Sequence, residues 1–419
     1  MGSIRRQDEP NSRFLWVYDC GTSSSQLLLE SSINQLKHFA RNRLRIDMLI
    51  LSHFDHDHIS GITRLLKEFK VGTLLLPYMT LAQRLVIAFE EGSGGADDPM
   101  TGFFLNPVTY LLERSELGIE RILFVPPGGE SGPPYPGAEP GPQDSGSDQP
   151  QLTFTPDKPE DLNEAKSLLK ASHDKGRHPS IDFLRPGSSI TLAICHWEFV
   201  PYNEDIQNDL SPAFIKEVET ARDSLLSTKA DTSRDESLKK LKLVYDYHFG
   251  RQSEERNVIS LFLYAGPIYP SWTLCLPTEG RSRFLTTSPL WQFRRLFPYM
   301  PAWRHSDPLV KFADTRCSIL YTGDGYLDTN KRLQNLIRYI GVSRVQKLFV
   351  FQVMHHGAEA NWHQGTAEAF SPHFSIFCSD PDRKKWKHPN AMVLRDFWQY
   401  GAVIVDKHSD FTANGRLMA

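Results

Sequence analysis

From residue 14 the chain alternates short apolar runs with amphipathic stretches. Phe14-Leu15-Trp16-Val17-Tyr18 is a continuous apolar run that predicts a strand, closed by the turn Asp19-Cys20-Gly21. Between Ser31 and Arg45, Ile33, Leu36 and Phe39 recur at helical spacing, and Met48 to Leu51 then predicts a buried strand. A loop rich in His and Asp follows. Next come a helix from about Ile62 to Phe69 and a short strand, Leu74-Leu75-Leu76, stopped by Pro77. Strand, helix, strand in this order predicts an α/β fold. Strand character returns over 186–203, with Ile190, Leu192, Ile194, Trp197 and Phe199, and again at Val258 to Tyr264 and Ser318 to Thr322. The last third predicts a helix near Leu333 to Tyr339 and strands at Leu348 to Val353 and Phe374 to Cys378. A helix at Ala391 to Tyr400 and a strand at Ala402 to Val405 complete it.

Three stretches interrupt the alternation. Residues 81–125 read as a helical insertion, broken at Gly92 to Gly95. Residues 126–150 hold eight prolines and six glycines, too little apolar surface to offset ordering, so they are expected to be poorly ordered and without core contacts, within a flexible loop over 126–165. Over 205–250, Ser211-Pro212 supplies a helix start. Phe214, Val218, Ala221 and Leu225 then form one stripe, and Leu238, Leu241 and Tyr245 another, which predicts a helical hairpin. With these as insertions, the 419 residues are expected to form one domain.

Composition narrows the class. Lys and Arg number 47 against 50 Asp and Glu, so a formal charge of −3 excludes a bulk electrostatic coat for nucleic acid, and any such contact must be local. Hydrophobic residues at 40% supply a sizeable core, which excludes global disorder. No apolar run approaches the roughly 18 residues of a membrane span, and Met1 to Arg6 is followed by no signal-peptide-like stretch. The five cysteines, Cys20, Cys195, Cys275, Cys317 and Cys378, are widely spaced. They read as buried free thiols in a reducing compartment, with the cytoplasm as the expected location.

The chemistry concentrates in Ser52-His53-Phe54-Asp55-His56-Asp57-His58, directly after a buried strand. Imidazoles and carboxylates crowded into one loop suit a divalent cation. The pattern His53-x-Asp55-x-Asp57-His58 resembles the His-x-His-x-Asp-His signature of the metallo-β-lactamase superfamily, with Asp in place of the second His. That variant is similar to the hydrolase domain of the competence DNA-internalisation family. Further resemblances follow in order: Asp19-Cys20-Gly21, Asn257-Val258-Ile259-Ser260-Leu261, Thr322-Gly323-Asp324, His355-His356-Gly357, Lys387-His388-Pro389, and the closing stretch from Gly401-Ala402-Val403 to Asn414-Gly415-Arg416. They cover about 14–77 and 186–417, without the insertions. The chain departs from the family at its start. Only 13 residues precede Phe14 and no Gly-x-Gly-Asp turn is present, which leaves open a first sheet lacking a strand or an incomplete chain start.

The resemblance implies an αββα sandwich of two mixed sheets with helical insertions, and a metal-dependent hydrolase. It implies His53, Asp55, Asp57, His58, Asp324, His355 and His388 as ligands of two divalent metal ions, with one of His355 and His356 pointing at a metal. Asp55 favours Mn²⁺ or Mg²⁺ relative to an all-histidine Zn²⁺ site. Asp57 and His356 are the catalytic candidates, Asp57 to orient the attacking water and a histidine to protonate the leaving oxygen. Lys384, Lys385 and Trp386, beside His388, suit a phosphate backbone and a stacked base. Three functions follow from this set: a phosphodiesterase acting on nucleic acid, a hydrolase of a small substrate such as a cyclic nucleotide or lactone, or a subunit that binds a protein partner through the helical insertions.

Overall fold

In a computed structural model of the chain, the structure describes residues 1–5, 13–23, 25–40, 43–90, 100–128, 131–134, 151–157, 179–204, 212–225, 232–249, 260–268, 273–275, 313–314, 316–381, 388–413 and 416–418. Contacts divide the chain into two compact units. One comprises Met1–Gly129, Phe154–Ser188 and Asn203–Leu261, the other Glu130–Thr153, Ser189–Tyr202 and Phe262–Ala419.

The first unit is built on a seven-stranded sheet. Its spatial order is Gly2–Ile4, Phe14–Tyr18, Arg45–Ile50, Lys70–Pro77, Ile119–Val125, Ser180–Leu184, Pro156–Asp157. The five inner strands pair in parallel, and the two outer ones are antiparallel to their neighbours. Strands buried on both faces need no polar alternation, which is why Phe14–Tyr18 and Leu74-Leu75-Leu76 read as unbroken apolar runs. Parallel neighbours require a crossover. The helix Gln26–Ala40 provides the first and Ile62–Glu68 the second. Both press Leu29, Ile33, Leu36, Ile62, Leu65 and Leu66 into the core. Gly2–Ile4 pairs with Phe14–Tyr18, so the sheet has a strand before Phe14, the feature the sequence had left open.

Three expectations are corrected here. The first helix begins at Gln26 rather than Ser31, because the Ser25 carbonyl and hydroxyl accept from the amides of Leu28 and Leu27, and it ends at Ala40. Phe39, expected on its buried stripe, is exposed and lies under Arg13, while Ala40 takes the core position. Residues 81–125 are not helical throughout. After the helices Leu81–Glu90, Thr101–Leu105 and Pro107–Arg114, Ile119–Val125 is an inner strand of the sheet. The helices Pro212–Leu225 and Thr232–Phe249 bury Phe214, Val218, Leu238, Leu241 and Tyr245 with Leu81, Leu85 and Phe89 of the first of these helices.

The second unit carries an eight-stranded mixed sheet in the order Ala402–Val405, Phe374–Cys378, Leu348–Gln352, Ser318–Tyr321, Leu261–Pro267, Trp197–Asn203, Ile190–Leu192, Leu152–Phe154. The first four strands are parallel, and the fourth meets the fifth antiparallel. The helices Asn330–Ile340, Thr366–Phe370 and Ala391–Phe397 bury Leu333, Leu336, Phe370, Val393 and Phe397 with Phe351, Val353 and Phe377 of this sheet. Three short strands, Ala313–Asp314, Thr273–Cys275 and Arg416–Met418, form a separate small sheet. Two mixed sheets with flanking helices are the content of the αββα class. Among the described residues, no helix is long and apolar enough to cross a membrane.

The proline- and glycine-rich stretch does contact a buried side chain through Pro133 and Pro134. The buried guanidinium of Arg344 donates to the carbonyls of Pro133 (2.8 Å) and Pro134 (3.2 Å) while holding both carboxylate oxygens of buried Glu198, at 2.8 and 3.0 Å. Five fixed N–H donors let one arginine serve a carboxylate and a chain segment together. Proline density argued for a loop but carried no information about a distant buried cation. Residues 135–150 and 158–165 of the expected loop lie outside the described residues.

Candidate metal centre

In the first unit, the loop after Arg45–Ile50 leaves at the carboxyl end of a parallel strand, beside the end of Phe14–Tyr18, where Tyr18 and Ile50 are in register. Loops at this edge of an α/β sheet are where such folds place ligands. Local apolar residues set the loop's shape. Phe54 is buried against Phe103 (ring centroids 4.9 Å apart) and Ile59 enters the same core, so His53 and Asp55 alternate to the other side. Asp55 is the N-terminal flank of the short helix His56–Ile59 and does not cap it with its side chain.

One residue organises this loop from the neighbouring strand. Asp19, in a left-handed conformation (φ 58°), accepts from the Ser52 amide and hydroxyl, both at 2.7 Å, and from His58 Nδ1 at 2.9 Å. Ser52 has one hydroxyl proton, and an ionised carboxylate can only accept it. His53 Nδ1, 2.8 Å from the same hydroxyl, is therefore the donor in that contact. Both His53 and His58 are thereby held as the Nδ1–H tautomer, with the Nε2 lone pair turned elsewhere. His53 Nε2 lies 3.6 Å from Asp55 Oδ2, and His58 Nε2 lies 4.0 Å from Asp57 Oδ1. These separations are too long for hydrogen bonds. The first is near the roughly 3–3.5 Å expected between two ligand atoms each about 2.1 Å from one cation, and the second lies beyond it. The Asp19 turn itself sits close against the loop: a Cβ on Gly21 would come 2.5 Å from the Asp57 carbonyl oxygen. Burial, and then the Asp19 charge, push the Cys20 thiol up to about 12, so it stays a neutral packing group.

In the second unit, Asp324 follows the strand Ser318–Tyr321 in a turn closed by the Gly325 amide on the Thr322 carbonyl. His355, His356 and Gly357 form three successive left-handed residues (φ 44°, 57° and 83°), after the strand Leu348–Gln352. Two non-glycine residues in that region cost on the order of 1–3 kcal/mol each, a strain that clusters at functional sites. His355 Nδ1 is 2.8 Å from Asn361 Oδ1, and its Nε2 is 3.6 Å from Asp324 Oδ2. His356 Nδ1–H donates to the Cys378 carbonyl, and a ligand atom of His356 lies within 4.8 Å of one of Asp324. The His388 ring centroid is 5.8 Å from that of His355, and the Asn390 amide ties the following turn to the Gly357 carbonyl at 2.9 Å.

The structure thus gathers His53, Asp55, Asp57 and His58 in one unit and Asp324, His355, His356 and His388 in the other. Lys384, Lys385 and Trp386 lie outside the described residues. Sequence reasoning assigned no role to Asp19, Ser52 or Asn361. Only the acid before a glycine at a strand end hinted at the first. Residues 12–143, about a third of the chain, match the model of the metallo-beta-lactamase superfamily, whose members are mostly metal-dependent hydrolases and typically bind divalent metals. The match includes the His53–His58 loop and stops short of Asp324 and the later histidines. No curated protein matches the chain.

Proposed function

We propose that the protein is a metal-dependent phosphodiesterase acting on nucleic acid. His53, Asp55, Asp57 and His58, together with Asp324, His388 and one of His355 and His356, would hold two divalent cations. The observation that supports this reading is the Asp19–Ser52 arrangement, in which two histidines donate from Nδ1 while their Nε2 atoms stand 3.6 and 4.0 Å from carboxylate oxygens. A mixed imidazole and carboxylate set of this kind suits Mn²⁺ or Zn²⁺, with Mg²⁺ favoured by its oxygens.

Such cations supply a nucleophilic water at neutral pH and offset charge on a reacting phosphate. The chain's own groups do the rest. Asp57, whose side chain is 30% exposed, orients the water and takes its proton. His356, its ring held through Nδ1 by the Cys378 carbonyl, would carry a second proton on Nε2 and pass it to the leaving oxygen. Lys384, Lys385 and Trp386 receive the phosphate backbone and a base.

The test is metal analysis of the purified protein, then a panel of single-stranded and duplex DNA, RNA, cyclic nucleotides and lactones with Mn²⁺, Mg²⁺ and Zn²⁺. Cleavage of a polynucleotide that is lost with chelator supports the proposal. Activity confined to cyclic nucleotides or lactones replaces it with a small-substrate hydrolase. Absence of metal binding removes it.

A further inference from the structure

We propose that Asn361 is a positioning residue that joins the Asp324 turn to His355 and fixes which nitrogen of His355 carries the proton. This rests on the metal-centre reading above. The Asn361 side chain is fully buried. Its Nδ2 donates to the carbonyls of Asp324 (2.8 Å) and Gly325 (3.4 Å), and its Oδ1 faces His355 Nδ1 at 2.8 Å. Carbonyls only accept, so the amide has one satisfied orientation: NH₂ towards the Asp324 turn and oxygen towards His355. His355 must then donate from Nδ1, which leaves the Nε2 lone pair on the side where Asp324 Oδ2 stands 3.6 Å away.

The backbone shows the same coupling. The His355 amide donates to the Gly323 carbonyl (3.0 Å), and the Leu327 amide donates to the Asn361 carbonyl (2.9 Å). These bonds fix the two chain segments but leave the imidazole free to turn about its own bonds. The His355 side chain is 38% exposed, so packing encloses it on only part of its surface. The bond to a buried, doubly anchored amide is what sets its ring. One side chain therefore fixes both the position of the Asp324 turn and the direction of the His355 lone pair. An asparagine that merely satisfied turn carbonyls would affect stability alone.

The experiment uses the full chain and three measurements. Long-range ¹H–¹⁵N correlation of the metal-free protein reads the His355 tautomer, with the signal assigned from His355→Gln. Titration with Zn²⁺ against a chromogenic chelator reads affinity, and thermal melting reads stability. Wild type is expected to show His355 as Nδ1–H. Asn361→Leu should lose that tautomer and bind Zn²⁺ about 10- to 100-fold more weakly. Asn361→Asp keeps an acceptor for His355 but opposes the Asp324 and Gly325 carbonyls, so it should keep the tautomer and melt at a lower temperature. If Asn361→Leu does not fold, the wild-type and Asn361→Asp spectra still decide. An Nε2–H tautomer in wild type, or a folded Asn361→Leu with wild-type tautomer and affinity, overturns the proposal. A wild-type protein that takes up no Zn²⁺ overturns the metal reading instead, and the spectra then decide separately whether Asn361 holds His355.

Discussion

Replacing Asp19 by Asn tests the loop architecture most directly, because it changes one atom and leaves shape and backbone preference almost untouched. Asn tolerates the left-handed conformation that Asp19 adopts. Its oxygen must stay where Oδ1 accepts the Ser52 amide at 2.7 Å, since an NH₂ there would oppose a donor. The NH₂ then occupies the Oδ2 position, facing His58 Nδ1 and the Ser52 hydroxyl. Both partners must reverse. His58 becomes an Nδ1 acceptor with its proton on Nε2. Ser52 now accepts from the amide and donates to His53 Nδ1, which moves the His53 proton to Nε2 as well. Restoring the ligand tautomer in the variant forfeits a hydrogen bond to a charged acceptor, about 1.5–3 kcal/mol. That corresponds to a loss of metal affinity of about 10- to 150-fold. The assay is competition between the protein and a chelator for Zn²⁺ or Mn²⁺, with urea unfolding of the metal-free protein as the control for structure. A folded Asp19→Asn that binds metal as wild type does would show that the tautomers are not set by this carboxylate, and the argument from Asp19 and Ser52 would fail.

Four other outcomes follow from the same structure. Asp57→Ala should abolish hydrolysis while leaving urea unfolding close to wild type, because Asp57 belongs to no strand or core cluster; full retained activity would rule out its role at the water. Arg344→Met should destabilise the chain by about 3–5 kcal/mol, since it strands buried Glu198, whose carboxyl burial already pushes up and Arg344 draws back; Arg344→Met/Glu198→Leu should recover most of that loss in chemical denaturation, and equal losses would refute the buried-charge account. Glu120, held by the Arg45 guanidinium, has its carboxyl lowered from 4.5 to about 2, so its ionised form contributes stability above about pH 4.5 that is lost as pH falls towards 2. The side chain is partly exposed and screened, so Glu120→Gln should remove at most about 1 kcal/mol of acid sensitivity, and unchanged acid sensitivity of the urea midpoint between pH 5.5 and 3 would refute the link. Lys384→Ala/Lys385→Ala should weaken polynucleotide binding and flatten its salt dependence by about 0.7–0.9 per lost phosphate contact, whereas an unchanged slope would favour the small-substrate enzyme.

The fold class was legible because apolar runs are local. Phe14–Tyr18, Met48-Leu49-Ile50 and Leu348-Phe349-Val350-Phe351 announce themselves within five residues or fewer, and burial on both faces makes them continuous. The ligand loop was legible for a similar reason, since five ligand-type side chains stand within six positions. What could not be read was decided by distant partners. The start of the first helix depended on a serine outside the apolar stripe. Ile119–Val125 looked like the tail of a helical insertion because its inner position in the sheet comes from Lys70–Pro77 and Ser180–Leu184, far away in sequence. Residues 131–134 are held by Arg344, some 210 positions on. The gap between Asp19 and Ser52 is 33 residues, and nothing in either neighbourhood names the other.

The residues that hold the histidines show why motif reading stops at the ligands. Four histidines give Nδ1 to an oxygen: His58 to a carboxylate, His53 to a hydroxyl, His355 to a side-chain amide and His356 to a backbone carbonyl. The oxygens come from four chemical groups, so no residue type at a fixed offset marks them. Their effect is nevertheless the same, a ring that is held in place through Nδ1 and has Nε2 as its second nitrogen. This argues against reading the cluster as ion pairs between imidazolium and carboxylate. A protonated ring would carry a donor on Nε2 as well, and that edge would close on Asp55, Asp57 or Asp324 to about 2.7–2.9 Å. The observed separations are 3.6, 4.0 and 3.6 Å. An imidazole nitrogen and a carboxylate oxygen set that far apart are a pair that one divalent cation could draw together, which is what the proposed metal centre requires.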